Sequence, residues 1–267
     1  MPRQITAFSN PLVKQARGLR DKKYRRREGL FLAEGLRILT EAREAGALPQ
    51  ILFYSDAAHP LLRRLIDETE AQGGEAIETS TDILHKISGK ENPQTVLGVY
   101  RAFDTSLEAI DRHSAPLWIV AQALRDPGNI GTILRTGDAA GAGGLILVDE
   151  CADPFSVEAV RASMGALFTQ RIAVAPWEEF LTWLRAGDGE LIGTSLDTEL
   201  DYQQPTYRKP AFVLVGNEQA GLPPAYAAAC DVVVKIPMLG KADSLNAAVA
   251  TAVMAYEVVN QFRRRGV

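Results

Sequence analysis

Cysteine and histidine are scarce in this 267-residue chain, with two of the first, Cys151 and Cys230, and three of the second, His59, His85 and His113. None stands at a metal-ligand spacing and no CxxC pair occurs, so no metal site and no disulfide framework are expected, and a reducing, cytoplasmic compartment fits. No apolar run approaches the ~18 residues that cross a bilayer, so no membrane association is expected. The opening residues MPRQITAFSNP lack the apolar stretch of a secretory signal. The phosphate-cradling G-x-x-x-x-G-K-[ST] is missing. Gly141-Ala142-Gly143-Gly144 is not a dinucleotide fingerprint, because Ile146 stands where the third glycine belongs and a strand, not a helix, follows. There is no G-x-S-x-G and no Ser/His/Asp set that recommends itself. A net charge of −4 argues, on its face, against nucleic acid.

That average hides an asymmetry. Lys14, Arg17, Arg20, Lys22, Lys23, Arg25, Arg26 and Arg27 are opposed within their stretch only by Asp21, and Arg263, Arg264 and Arg265 return at the end. Local charge, not net charge, sets the attraction to phosphate; the alternative is a solvated helical face. With 46% hydrophobic and 23% charged residues the chain reads as one large or two medium globular domains. Short apolar runs alternate with helical periodicity throughout, which predicts a layered α/β architecture. The polar stretch from Phe103 to Pro116 reads as a linker, dividing a small α/β domain (1–104) from a larger one (105–267). In the second domain FVLV and VVV are continuous apolar runs, as in a parallel sheet buried on both faces.

Three polar, glycine-bearing stretches each follow a strand in that domain. Asp126-Pro127-Gly128-Asn129-Ile130-Gly131 opens a helix that carries Arg135. Helix starts favour anions and Arg135 adds a planar cation, although Asn129 can equally be a simple cap and Arg135 a surface arginine. Val215-Gly216-Asn217-Glu218-Gln219-Ala220-Gly221 again permits tight backbone, or is only a turn with an exposed glutamate. Ile236-Pro237-Met238 leaves the last strand, and Asp243 or Ser244 can cap the long final helix. From Leu245, the residues Val249, Ala252, Val253, Tyr256 and Val259 form one apolar face of that helix, which reads as its buried side.

In order and spacing, DPGNIGTILRT, LVGNEQAGLP and IPMLGKADSLNAAVA resemble the three motifs of the SpoU (TrmH) family of RNA ribose 2′-O-methyltransferases, within the SPOUT superfamily. ITAFSNPLVKQARGL and GLFLAEG are similar, more loosely, to the family's small substrate-binding domain, itself like a ribosomal-protein fold. The resemblance implies a C-terminal α/β domain with a trefoil knot, a homodimer, S-adenosylmethionine as methyl donor and RNA as substrate, ribosomal in preference to transfer RNA. It implies cofactor contacts at Thr194, Gly216, Ile236 and Leu245, and a reacting centre ringed by Asn129, Arg135, Glu218, Ser244 and Asn246, with Arg135 the suspected base. The basic residues Lys14 to Arg27 would then touch RNA phosphates. A non-catalytic RNA-binding or ribosome-assembly module on the same fold is the alternative.

Overall fold

The computed structural model describes residues 3–217 and 220–266. In chain order it has β1 (Arg3–Ile5), α1 (Pro11–Gly18), α2 (Lys22–Glu28), β2 (Leu30–Glu34), α3 (Leu36–Glu44), β3 (Ile51–Tyr54), α4 (Pro60–Ala71), β4 (Glu75–Thr79), α5 (Thr81–Ser88) and β5 (Val96–Arg101). There follow β6 (Leu117–Gln122), α6 (Pro127–Ala140), β7 (Gly144–Val148), α7 (Val157–Ser163), β8 (Arg171–Ala175), α8 (Trp177–Arg185), β9 (Glu190–Thr194), β10 (Ala211–Val215), α9 (Pro224–Ala229), β11 (Val232–Val234) and α10 (Ala247–Arg265). No helix among the described residues is long and apolar enough to cross a membrane.

The chain forms two compact units: residues 1–103 with 153–169, and residues 104–152 with 170–267. The 153–169 segment is the departure from a single boundary near 104, and its side chains give the reason. Arg25 is buried, and its Nε and Nη2 donate to Asp153 Oδ2 at 2.9 and 2.7 Å. Its Nη1 donates to the carbonyls of Leu19 and Arg20, both at 2.8 Å. Phe155 and Phe168 lie 5.1 and 5.9 Å from the Phe31 ring, in a cluster that includes Tyr100 and Phe103. One ion pair and an aromatic cluster thus fix the segment to the N-terminal unit.

That unit's sheet runs β1-β4-β3-β5-β2, with β1, β4 and β3 parallel and β5 and β2 antiparallel to their neighbours. The basic stretch is two helices rather than one. Asn10 caps α1 and Asp21 caps α2, each accepting a backbone N–H from two residues on. β1 was not legible as a strand; it is three residues long, with only Ile5 buried. α7 stops at Ser163, because Met164 turns left-handed (φ 52°), and the chain coils again only as a 3-10 turn at Ala166–Phe168.

The second unit is a six-stranded, wholly parallel sheet of order β11-β9-β10-β6-β7-β8. α8 and α9 cover the face that carries Trp118, Val120, Ile146, Val148, Phe212 and Leu214. α6 and α10 pack on each other and on strands of the sheet. The expected linker is folded, with Leu107 and Ile110 buried against the same core as Trp118. The last strand ends at Val234, two residues before the expected Ile236.

Arg25→Ala would leave Asp153 without its partner and two carbonyls without donors. It is expected to lower the unfolding free energy by about 3 kcal/mol, whereas Arg26→Ala, at an exposed position, should cost less than ~0.5 kcal/mol. Urea unfolding of both variants checks this, and equal losses would refute a structural role for Arg25.

Candidate active site

In an open parallel sheet the ligand crevice lies beyond the carboxyl ends of the strands, where the strand order reverses. Here β6 and β10 lie side by side, while the chain leaves β6 for β7 on one flank and joins β10 from β9 on the other. The three polar loops follow β6, β10 and β11, and Thr194 ends β9. All four sit at this one edge because every strand of the sheet points the same way.

Side-chain amides join the loops. Asn217 Nδ2 donates to the Ala123 carbonyl at 2.9 Å, tying the second loop to the first. Its Oδ1 accepts from Ala220 N–H at 3.2 Å and its carbonyl from Gly221 N–H at 2.9 Å, so Asn217 also closes its own turn. Asn246 Nδ2 donates to Asn129 Oδ1 at 3.0 Å, tying the third loop to the first. Its Oδ1 accepts from Ala248 and Val249 N–H, so Asn246, and neither Asp243 nor Ser244, caps α10. Likewise Asp126, not Asn129, caps α6, accepting from Gly128 N–H at 2.8 Å. Asn129 is thereby freed from the cap and lies buried in the first turn.

Thr194, Gly216, Ile236 and Leu245 all line a cleft of about 370 Å³, together with Ser244, Met238 and Leu222. That volume is at the small end of the ~300–1,000 Å³ of ligand clefts. Gly216 is needed for the cleft's wall to close: a Cβ there would stand 2.4 Å from the Gly221 carbonyl carbon and 2.6 Å from Leu222 N. Asp197 and Asp243 also line it, and no lysine or arginine does among the described residues. Apolar walls, exposed backbone at Gly216 and a carboxylate rim suit a nucleoside that carries a cationic sulfonium, which is the chemistry of S-adenosylmethionine. Ser195, Leu196, Asp197 and Asn217 were not anticipated from the sequence. Asn217 carried a signal, since Gly-Asn after a strand is turn chemistry, whereas the 195–197 stretch carried none.

Not every expected residue gathers there. Asn129 and Asn246 brace the loops without lining the cleft. Arg135 is exposed on α6, outside the cleft, and forms no ion pair among the described residues. Glu218 lies outside the described residues. Ser244 is exposed, its hydroxyl 3.2 Å from Asp243 Oδ1. Of the basic stretch, Lys14, Arg17, Arg20, Lys22, Lys23, Arg26 and Arg27 are exposed. Arg25 corrects the expectation: buried and fully engaged, it has nothing to offer a phosphate. Among the described residues no cluster of His, Cys, Asp and Glu could hold a metal. Burial, with the Asp231 charge beside it, pushes the Cys230 thiol up to about 12, and burial raises Cys151 too, so neither is a nucleophile at neutral pH.

The sequence profile of the SpoU rRNA Methylase family matches residues 116–256, and that of the MRM3-like substrate binding domain matches residues 10–98. A 23S rRNA (uridine(2479)-2′-O)-methyltransferase of Streptomyces viridochromogenes is 33% identical over 266 residues, covering 97% of this chain and 92% of that one. A 23S rRNA (guanosine(2553)-2′-O)-methyltransferase of Bacillus subtilis is 29% identical, covering 96% and 99%. Among solved structures, an AdoMet-bound rRNA methyltransferase from Sinorhizobium meliloti superposes with a TM-score of 0.90 at 39% identity, covering 98% of both chains. The parallel α/β domain and the smaller domain before it are therefore shared along the whole length. By profile, by full-length relatives and by the loops gathered at one edge of its parallel sheet, the chain belongs to the SpoU rRNA methylase family.

Proposed function

We propose that this chain transfers a methyl group from S-adenosylmethionine to a ribose 2′-hydroxyl of RNA, with ribosomal RNA as substrate. The relatives above are named for that reaction on 23S rRNA. The observation that carries the reading to this chain is the Asn246–Asn129 hydrogen bond, which closes the third loop onto the first beside the cleft. When bound, S-adenosylmethionine supplies a methyl group already activated as a sulfonium, so the protein's work is positioning and charge management.

Thr194, Gly216, Ile236 and Leu245 would hold the methyl donor, the glycine by its backbone and the others by the cleft wall. Asn246 and Asn129 fix where the Ser244–Leu245 step stands; both residues of that step line the cleft, and the exposed Ser244 would also meet the RNA. For Glu218 the motif alone implies a role, that of positioning Arg135 or a nearby loop. A guanidinium has a pKa above ~12 and stays protonated. We therefore assign Arg135 to stabilising the negative charge that grows on the 2′-oxygen, the proton passing to solvent or to an adjacent phosphate as the O–CH3 bond would form, the S–CH3 bond break and S-adenosylhomocysteine leave.

Since Arg135 does not line the cleft of its own chain, the active site is completed by a second copy. Support comes from α10. Its inner face (Ala248, Met254, Ala255, Val258) is buried, yet Val249, Ala252, Val253, Tyr256 and Val259 are exposed or half-exposed. The apolar face expected to be the buried one is thus the outer one, and a homodimer would cover it. Threading of the C-terminal segment into a knot belongs to the same reading; α10 is held to the 205–207 segment by Gln261 and Arg265. The site of action is the cytoplasm, where two unpaired thiols persist.

Three outcomes test this. Asn246→Asp keeps the helix cap but turns the donor facing Asn129 into an acceptor; methyl transfer to an unmethylated 23S rRNA transcript should fall ~10²-fold with stability nearly unchanged, whereas Asn246→Ala should also lose ~1 kcal/mol. Titration calorimetry and transfer rates should separate two other residues. Gly216→Ala should abolish S-adenosylmethionine binding, while Arg135→Ala should keep it and lose ~10²-fold or more in rate; a fully active Arg135→Ala would sink its assignment. Light scattering should give twice the chain's mass, and Val253→Arg with Tyr256→Glu should give an inactive monomer; an active monomer would end the shared-site proposal.

A further inference from the structure

Away from the cleft, the N-terminal unit carries two hollows, of about 680 and 310 Å³, that share Arg20 and Gly89 and so form one groove. One half runs between the α1–α2 corner, with Arg17 and Tyr24, and the end of α5, with Lys86. The other runs from Ser88 and Gly89 to α7, with Arg161. We infer that this groove holds an unpaired stretch of the substrate RNA, with its phosphates on Arg17, Arg20, Lys86 and Arg161 and a base stacked at Tyr24. The inference rests on the RNA-methylation reading, in that RNA is taken to be the ligand.

The charges favour an anion. All four cations are exposed and none forms an ion pair among the described residues. The carboxylates nearby have other work: Asp21 caps α2, and Glu158 sits in the first turn of α7, where the helix dipole favours it. Lys90 is spent on the buried Glu34 and is not counted. Arg20 lies against the end of α5. Gly89 ends α5 at φ +71°, and a Cβ there would stand 2.2 Å from the Arg20 guanidinium carbon, so the glycine lets the guanidinium lie against the helix end. A planar fork lining both hollows suits phosphate oxygens. The C-terminal dipole of α5 accounts for cations at Arg20 and Lys86, but not for Arg17 on α1 or Arg161 on α7.

Tyr24 decides for a single strand. Tyr24 is 42% exposed in a groove lined mainly by polar residues; Gly18 lies against its ring and the Arg27 guanidinium stacks over it at 4.3 Å, so a base would stack on that guanidinium or take its place. Unpaired bases stack on aromatic rings and guanidinium planes; bases inside a duplex do not.

The test is fluorescence anisotropy of the full chain with a mixed-sequence single-stranded RNA 12-mer, and with the same sequence as a duplex, across a salt series. Each of Arg17→Ala, Arg20→Ala, Lys86→Ala and Arg161→Ala should lower the slope of log K against log salt by about 0.7, while Arg64→Ala, on α4 and paired with Glu68, should leave it unchanged. Tyr24→Ala should weaken single-strand binding about tenfold, leave the slope and the duplex affinity alone, and be rescued by Tyr24→Phe. If the wild type methylates 23S rRNA and the four variants keep its KM for RNA and its salt slope, the groove is overturned and the functional reading stands. If the wild type binds the 12-mer with the expected slopes but methylates no RNA, the groove stands and the functional reading fails.

Discussion

One side chain, Asn246, ties the last of the active-site loops to the scaffold. Its oxygen is committed to the first N–H groups of α10 and its nitrogen to Asn129 of α6. Helix start and loop closure are therefore a single event. An aspartate would cap as well and a serine nearly as well, but neither carries the amide's donor at that reach. The loop that presents Ser244 and Leu245 has few other hydrogen bonds among the described residues and is largely exposed, with Leu239 almost wholly in solvent. The geometry of the cleft thus depends on an amide that satisfies backbone on one side and a second amide on the other, 117 residues away in sequence.

The sequence made the catalytic unit legible because its strands are buried on both faces and its loops are built from residues with few other uses. Gly216 and Leu245 could be placed at the cleft from their motifs, and the structure puts them there. What could not be read were the choices made by partners distant in the chain. Asn129 looked like a cap until Asp126 took that place, and Arg25 looked like its seven basic companions until Asp153 was brought against it. The final helix was misjudged for a related reason. Its apolar residues nearly encircle it, so the pattern could not say which side faces the core.

The two units use charge in opposite ways. In the cleft the charged side chains among the described residues are carboxylates at the rim, which suits a cationic ligand. In the N-terminal unit the cations crowd one groove and the nearest acids are tied up in helix starts. A net charge of −4 is the sum of these two surfaces and describes neither.

The excursion of residues 153–169 has a consequence for how the protein comes into being. The chain passes between its two units three times, near 103, 152 and 169. Domains generally fold as they leave the ribosome, the first before the second. Here the first unit lacks Asp153, Phe155 and Phe168 until the β6–β7 half of the second has been made, so Arg25 waits without its counter-charge and the Phe31 cluster without two of its rings. The order of synthesis and the order of completion are interleaved, and neither unit is a cassette that a single cut could release.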